Sequence, residues 1–526
     1  MTAVPLYLTT TIPYVNARPH LGHALELVQA DVLARHYRRR GHPVRFQTGT
    51  DDNSLKNILA ADAAGVGVQE FVDANADAFV ELAGPLSLSV DDVIRTSSDP
   101  RHRAGVERLW QACASAGDLY LRHYEGLYCV GCEAFYAADE LSAGLCPEHG
   151  VRPQRVAEEN WFFRLSRYAG RLRDEITAGR LRIEPAGRRN EVLAFIAGGL
   201  ADFSVSRSIE RAHGWGIPVP GDPGQVIYVW WDALGNYLTA LGYGSDEVNL
   251  SRWWTGASRR VHLLGKGVLR FHAVYWPAML ASAGLPLPTD IIVHDYLTVE
   301  GRKISKSAGA SVDPAELADE YGTDAIRWWL LREVPRIGDV DFTRERLVRR
   351  ANDELAHGIG NLVNRVIAMI GKYRDGVGPA CGDGAPVPVG RAGQRAPAII
   401  DAALAVGDFR QATSAVWSIA EEANRYVSQT RPWLLARAER DGDHEAGRQL
   451  DAVLAALVST CRRLAAELEP FLPDAAARIA RQTAAVDGVL PPAQPVFARL
   501  EINPLAAAHL PAALAPGPCM GAPPIT

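Results

Sequence analysis

Residues 6–23 read LYLTTTIPYVNARPHLGH, and the fold follows from how that stretch divides. Residues 6–12 are apolar and β-branched and predict a buried strand. Pro13, Asn16 and Pro19 force a loop, and from Leu21 apolar residues recur at helical spacing through Ala34. A strand, a loop and a helix start in that order aim unpaired backbone N–H groups and the positive end of a helix dipole at an anion above the loop. His20 and His23 add two imidazoles within the first turn. Taken alone, they read as turn and cap residues more readily than as ligands.

Working outward, Leu25, Val28, Val32 and Leu33 carry the helix on until three arginines and Gly41 close it, and residues 44–48 give a second strand. This β-loop-α-β order is how a parallel nucleotide-binding sheet begins. The second strand ends in Thr48-Gly-Thr-Asp51-Asp52-Asn53-Ser54. Ligands of parallel sheets sit outside the carboxyl ends of the strands, so Asp51 either faces a site or caps a helix starting near Leu55.

At 526 residues the chain is too long for one core and predicts three or four domains. Its 48% apolar and 22% charged content is that of a globular protein, and a net charge of −6 excludes indiscriminate nucleic-acid binding. RNA contact would need a local basic patch. No run approaches 18 apolar residues, and the N-terminus lacks a basic segment followed by an apolar one, so no membrane span or leader is expected and a cytoplasmic location is.

Cys129-Val-Gly-Cys132, thirteen further residues and Cys146-Pro-Glu-His149 interrupt the βα alternation. Two such pairs, each able to wrap half of an ion, suit a tetrahedral structural Zn²⁺ bound by Cys129, Cys132, Cys146 and His149. Residues 301–307, GRKISKS, form a glycine-led loop with two lysines three apart, which by itself could be a solvated loop. From about residue 344, periodic apolar residues with few β-branched runs predict a helical bundle.

Together, His-Leu-Gly-His after the first strand and Lys-Ile-Ser-Lys-Ser before a helical C-terminal third resemble the paired signatures of class I aminoacyl-tRNA synthetases. The knuckle, the segment 158–168 and the run IYVWWDALGNY at 227–237 narrow the resemblance to the methionyl-tRNA synthetase family. It implies an α/β fold: a Rossmann-type parallel sheet with an inserted zinc-knuckle connective domain, followed by an all-α anticodon-binding bundle. The expected divisions are a first catalytic half at 1–115, the insertion at 116–225, a second catalytic half at 226–300 and the loop with its connector at 301–345. The bundle follows at 346–485, with a tail at 486–526 packing back on the body of an expected monomer.

The resemblance also implies chemistry: activation of methionine by ATP with Mg²⁺, then transfer to tRNA(Met). His20, His23, Lys303 and Lys306 become the expected catalytic groups, with Gly22, Gly265, Lys266, Asp295, Ser305 and Ser307 joining them around ATP. Ile12, Tyr14, Asp51, Trp230, Ala233, Leu234, Tyr237, Val268 and His272 become the amino-acid pocket, although aromatics at that density also suit a core. An unbranched thioether suits aromatic edges and aliphatic walls. Asn361, Arg365 and Trp433 match the readers of the anticodon, where stacking and hydrogen bonding to base edges are needed; Trp433 could equally be bundle core.

The departures cluster at the nucleotide. Asp52-Asn53-Ser54 replaces Glu-His-Gly, and Gly265-Lys266-Gly267 replaces Gly-Lys-Asp, whose aspartate contacts the ATP ribose in the family. Asp295 replaces a glycine and Ala310 an asparagine. Asp295 is the expected substitute for the lost ribose contact. Two other readings remain: a paralogue that passes an activated amino acid to a small-molecule amine or hydroxylamine, and an RNA-binding module without catalysis.

Overall fold

A computed structural model describes residues 4–132, 134–136, 138–148, 150–304, 312–379 and 390–502. The opening stretch folds as strand β1 (Leu6–Thr9), a loop, and helix α1 (Leu21–Arg39), followed by β2 (Val44–Thr50) and β3 (Asp92–Arg95). These join a six-stranded parallel sheet in the order β3, β2, β1, Arg259–Gly265, Asp290–His294, Arg182–Glu184. The chain winds outward from β1 to β3 on one side and resumes beside β1 on the other. A crevice therefore opens at the carboxyl end of β1, where ligands of doubly wound sheets bind.

Alternation along the strands splits the interior into two cores. Leu6, Leu8, Val261, Leu263 and Ile292 face a core that continues through α1 and the Trp328-Trp329 pair into Leu454 and Leu464 of the C-terminal helices. Tyr7, Leu264, Ile291 and Val293 face the other, which holds Trp231, Leu234, Tyr237 and Trp276. Burial on both faces explains why the strands are continuously apolar rather than alternating.

The stretch expected as one insertion at 116–225 is divided in the structure. Its long strands, Leu119–Cys129 and Gln154–Phe163, pair antiparallel and carry the cysteine loop between them. Arg182–Glu184, however, is an edge strand of the parallel sheet, in register with Asp290–Ile292. Residues 200–206 and 215–220 do not join that sheet. Phe203–Ser204 extends the antiparallel sheet, and Ser206–Ser208 and Pro218–Val219 flank Asp222–Ile227 in a separate three-stranded one.

Beyond the catalytic sheet, Leu297–Val299, Arg302–Lys303 and Val340–Asp341 form a small sheet that ties the loop region to its connector. Helices Asn361–Arg374, Arg391–Leu404, Phe409–Thr430, Pro432–Arg440, His444–Leu468 and Pro473–Thr483 make up the bundle. The chain then packs back on it: Val496 is buried, and Leu500 exchanges two hydrogen bonds with the Asn352 side chain (2.8 and 2.9 Å). Among the described residues, no helix is long and apolar enough to cross a membrane.

Candidate active site

The N-terminus of α1 is built by its own histidines. His20 is the N-cap: its Nδ1 accepts from the Gly22 N–H (3.1 Å), while the His20 N–H donates to His23 Nδ1 (3.1 Å). The rings stack with centroids 3.8 Å apart. Each Nδ1 thus acts as an acceptor, which places the proton of the neutral imidazole on Nε2. Capping and ligand roles are compatible.

The expectation of unpaired first-turn amides is corrected here. The Leu21 N–H donates to the Val312 carbonyl and the His23 N–H to the His20 carbonyl, both at 2.9 Å. Attraction for an anion at this end therefore rests on the helix dipole and the imidazole Nε2–H groups. The Val312 contact also fastens the segment following the GRKISKS loop to the histidine cap.

Both histidines line a cavity of about 420 Å³ at the carboxyl end of β1. Gly22, Gly265, Asp295 and all nine residues expected around the amino acid line it too: Ile12, Tyr14, Asp51, Trp230, Ala233, Leu234, Tyr237, Val268 and His272. The helix Val229–Thr239 presents positions 230, 233, 234 and 237 on one side, as their spacing requires. Tyr237 Oη lies 2.7 Å from His272 Nε2, and His272 Nδ1 lies 2.9 Å from the Val268 carbonyl. The ring therefore donates through Nδ1 to the carbonyl and accepts the phenol proton at Nε2. Burial lowers the His272 pKa to about 4, so it is neutral at physiological pH. Trp230 stacks on Phe271 with centroids 3.7 Å apart and meets Tyr14 edge-on.

Asp51 is buried and joined to Tyr14 through a parallel bridge, its N–H donating to the Pro13 carbonyl (2.9 Å). It does not cap the next helix; Ser54 does, its hydroxyl accepting from the Lys56 N–H (3.1 Å). Asp51 borders the cavity. Ile304 lines the same cavity, and Lys303 enters as backbone paired with Thr298. Ser305, Lys306, Ser307, Ala310 and His149 lie outside the described residues.

In the cysteine loop, the ligand atoms of Cys129, Cys132 and Cys146 lie within 4.8 Å of one another, and Cys132 Sγ is 3.4 Å from Cys146 Sγ. Tetrahedral Zn–S bonds of about 2.3 Å require sulfur separations of about 3.8 Å, so the three thiols fit a zinc ion. Burial pushes the Cys129 and Cys132 thiols up, a cost that a coordinated cation reverses.

The family model described as tRNA synthetases class I (M) matches residues 6–157 and 149–367. The chain belongs to the methionine type of class I tRNA synthetases. It is 40% identical over 471 residues to a methionine–tRNA ligase of Caldanaerobacter subterraneus, covering 89% of this chain and 72% of the relative. With that of Brucella suis it shares 39% over 488 residues, covering 91% and 92%. The crystal structure of Mycobacterium tuberculosis methionyl-tRNA synthetase bound by methionyl-adenylate superposes with a TM-score of 0.88 at 36% identity, over 94% of this chain and 100% of that one.

Within this class I scaffold two residues expected around ATP have protein partners. Lys266 reaches Asp339 (2.6 Å), with its ammonium 4.6 Å above the Tyr296 ring. Asp295 borders the cavity, but Oδ1 is paired with Arg188 and Oδ2 accepts from the Gly338 N–H (2.5 Å). On the bundle, Trp433 is 42% exposed at the start of its helix, so it is not core. Asn361 is exposed one turn before Arg365 on a single helix.

Sequence reading missed Glu26, Lys56, His294 and Tyr296, which also line the cavity. Glu26 had a signal: a carboxylate three residues after His23 on the buried face of α1. It accepts from the Thr11 N–H (2.6 Å) and meets His294 Nε2 (3.0 Å). A larger groove of about 820 Å³, between α1 and the last two helices, has six alanines on its lining; Arg35, Arg38, Arg39 and Arg462 on its wall are all hydrogen-bonded.

Proposed function

We propose that this chain activates methionine with ATP and transfers the acyl group to tRNA(Met). The observation that carries the reading is that an aromatic thioether pocket, a buried carboxylate and a histidine-capped helix N-terminus open into one cavity at the sheet's switch point. Methionine would lie against Trp230, Ala233, Leu234 and Val268, with its ammonium at Asp51. Tyr237 and the neutral His272 form the pocket floor. The substrate carboxylate would attack the α-phosphorus of ATP, the bond to the β-phosphate breaking as pyrophosphate leaves. A 3′-terminal hydroxyl of tRNA would then take the acyl group and release AMP.

The first step needs positioning and stabilisation of charge more than covalent help. His20 and His23 would hold phosphate oxygens, and Lys303 and Lys306, with Mg²⁺ accompanying the triphosphate, would neutralise the departing pyrophosphate. Cys129, Cys132, Cys146 and His149 would hold a structural Zn²⁺. Asn361, Arg365 and Trp433 would read the anticodon, and the enzyme would act in the cytoplasm as a monomer.

Methionine-dependent exchange of labelled pyrophosphate into ATP tests activation, and charging of initiator and elongator methionine tRNAs tests transfer. Exchange without charging would instead favour a small-molecule acceptor. Absence of exchange with any amino acid would leave only RNA binding. Lys306→Ala is expected to leave methionine binding nearly intact and to slow adenylate formation by about 10² to 10³. An unchanged rate removes Lys306 from the mechanism.

A further inference from the structure

Asp295 follows the last residue of the strand Asp290–His294 and is buried. Its carboxylate is divided between two distant elements. Oδ1 is paired with Arg188, on the helix Ala186–Ala197 that follows the edge strand Arg182–Glu184, and Oδ2 accepts from the Gly338 N–H of the connector (2.5 Å). The Asp295 carbonyl lies 2.9 Å from Nδ1 of His294, whose Nε2 meets Glu26 on the cavity wall. A buried carboxylate is stable only where both oxygens are met, so this charge pins the elements that supply its partners.

The element pinned at Gly338 leads into the segment that carries Lys303. Val340–Asp341 pairs with Leu297–Val299, and Asp341 Oδ1 accepts from the Thr298 hydroxyl (2.8 Å) and the Gly301 N–H (2.9 Å). Asp341 thereby holds the turn between Leu297–Val299 and Arg302–Lys303. The backbone of Lys303 pairs with Thr298, and the Ile304 N–H donates to the Leu297 carbonyl (3.2 Å), which brings Ile304 to the cavity. Two ion pairs fasten the same connector to the parallel sheet: Arg336 with Glu184 (2.6 Å) and Lys266 with Asp339 (2.6 Å). Asp295 therefore stands where the chain passes from the parallel sheet to the small one, and it ties the sheet's edge to the connector through one side chain.

We propose that Asp295 is a positioning residue: held by Arg188 and holding Gly338, it sets where the small sheet places the backbone of Lys303, and so the rate of adenylate formation, without itself contacting the nucleotide. The inference rests on the reading of Lys303 as a phosphate ligand. Arg188 separates positioning from contact, because it is not among the residues that line the cavity.

The test compares Arg188→Ala, Asp295→Ala and the double variant in the full chain by pyrophosphate exchange, equilibrium binding of ATP and hydrogen–deuterium exchange of residues 296–304 and 336–342. Each single variant is expected to slow adenylate formation about 10-fold to 100-fold while leaving the KM for methionine and the affinity for ATP nearly unchanged. The double variant should be little slower than Asp295→Ala, since the two side chains share one contact. Hydrogen–deuterium exchange should speed up in both segments in each single variant. Weakened ATP binding in Asp295→Ala but not in Arg188→Ala overturns the proposal and makes Asp295 a nucleotide ligand. An unchanged rate in Arg188→Ala, or unchanged hydrogen–deuterium exchange in both single variants, overturns it while leaving the function intact. Failure of the unsubstituted protein to exchange pyrophosphate with any amino acid overturns the activation reading, and the positioning role falls with it.

Discussion

Tyr237 and His272 show how a single contact shapes the pocket. The phenol donates to Nε2, so Tyr237→Phe would leave a buried acceptor unpaired, a loss of about 1 to 3 kcal/mol. We expect the KM for methionine to rise with little change in the KM for ATP; an equal rise in both would show that the bond does not belong to the amino-acid pocket. With its pKa held at about 4 by burial, His272 does not change charge between pH 5.5 and 8. His272 should therefore add no inflection to the methionine dissociation constant over that range, and an inflection near 6.5 that is lost in His272→Asn would contradict the burial argument.

The helix Val229–Thr239 carries the pocket wall and is clamped by its neighbours. Asn53 donates to Asp232 (2.7 Å), Asp232 is paired with His102, and His102 reaches Thr239 (2.9 Å), so the tip of β2 is tied to the wall through buried polar groups. Gly105, on the helix Pro100–Ser115, allows the close approach. An added Cβ would meet Thr239 Cγ2 at 2.4 Å and the Tyr243 carbonyl at 2.5 Å, and a backbone oxygen cannot rotate away. Gly105→Ala is expected to lower stability by about 1 to 3 kcal/mol and, by shifting the wall, to raise the KM for methionine. Denaturant unfolding and exchange kinetics check the two effects separately. In the cysteine loop, the Trp230 indole N–H reaches the Cys132 carbonyl (3.5 Å), so the knuckle touches the pocket. If the cysteine loop holds the proposed zinc, its removal by a chelator should perturb tryptophan fluorescence together with methionine binding; loss of zinc without either change would uncouple them.

At the scale of the molecule, one buried cation joins sheet, connector and bundle. Arg327 is 0% exposed; it pairs with Asp31 of α1 (2.8 Å) and donates to the carbonyls of Leu86 (2.9 Å) and Phe471 (2.7 Å). Arg327→Met would leave the Asp31 carboxylate with Arg35 and Ser89 alone and leave the Leu86 and Phe471 carbonyls unpaired, with an expected loss of about 3 to 5 kcal/mol. Thermal unfolding measures it. Burial alone would raise the Asp31 pKa, but Arg327, Arg35 and Ser89 outweigh it and hold it below its ordinary value. Its contribution is therefore present above about pH 4 and lost as pH falls below that. His36, His262 and His272 act earlier, since burial lowers all three. The unfolded chain binds their protons first, so stability should already decline as pH falls from about 6.5 toward 4. A melting temperature independent of pH between 4 and 6.5 would contradict this.

Much of the site was legible because local patterns imposed it. The strand-loop-helix of residues 6–23, the spacing of 230, 233, 234 and 237, and the cysteine pairs each depend on neighbours within a few residues, where backbone periodicity dictates direction. The family resemblance supplied the long-range pairings that periodicity cannot. What the sequence left open was settled by contacts between distant segments. Ser54 rather than Asp51 caps the second helix, the first-turn amides are taken by His20 and Val312, and Arg182–Glu184 leaves the insertion to complete the sheet. Asp295 and Tyr296 stand side by side in the chain, yet one is bound by Arg188 and the other fills the space above Gly267. Local sequence sets which way a side chain leaves the backbone; only tertiary packing decides what it meets there.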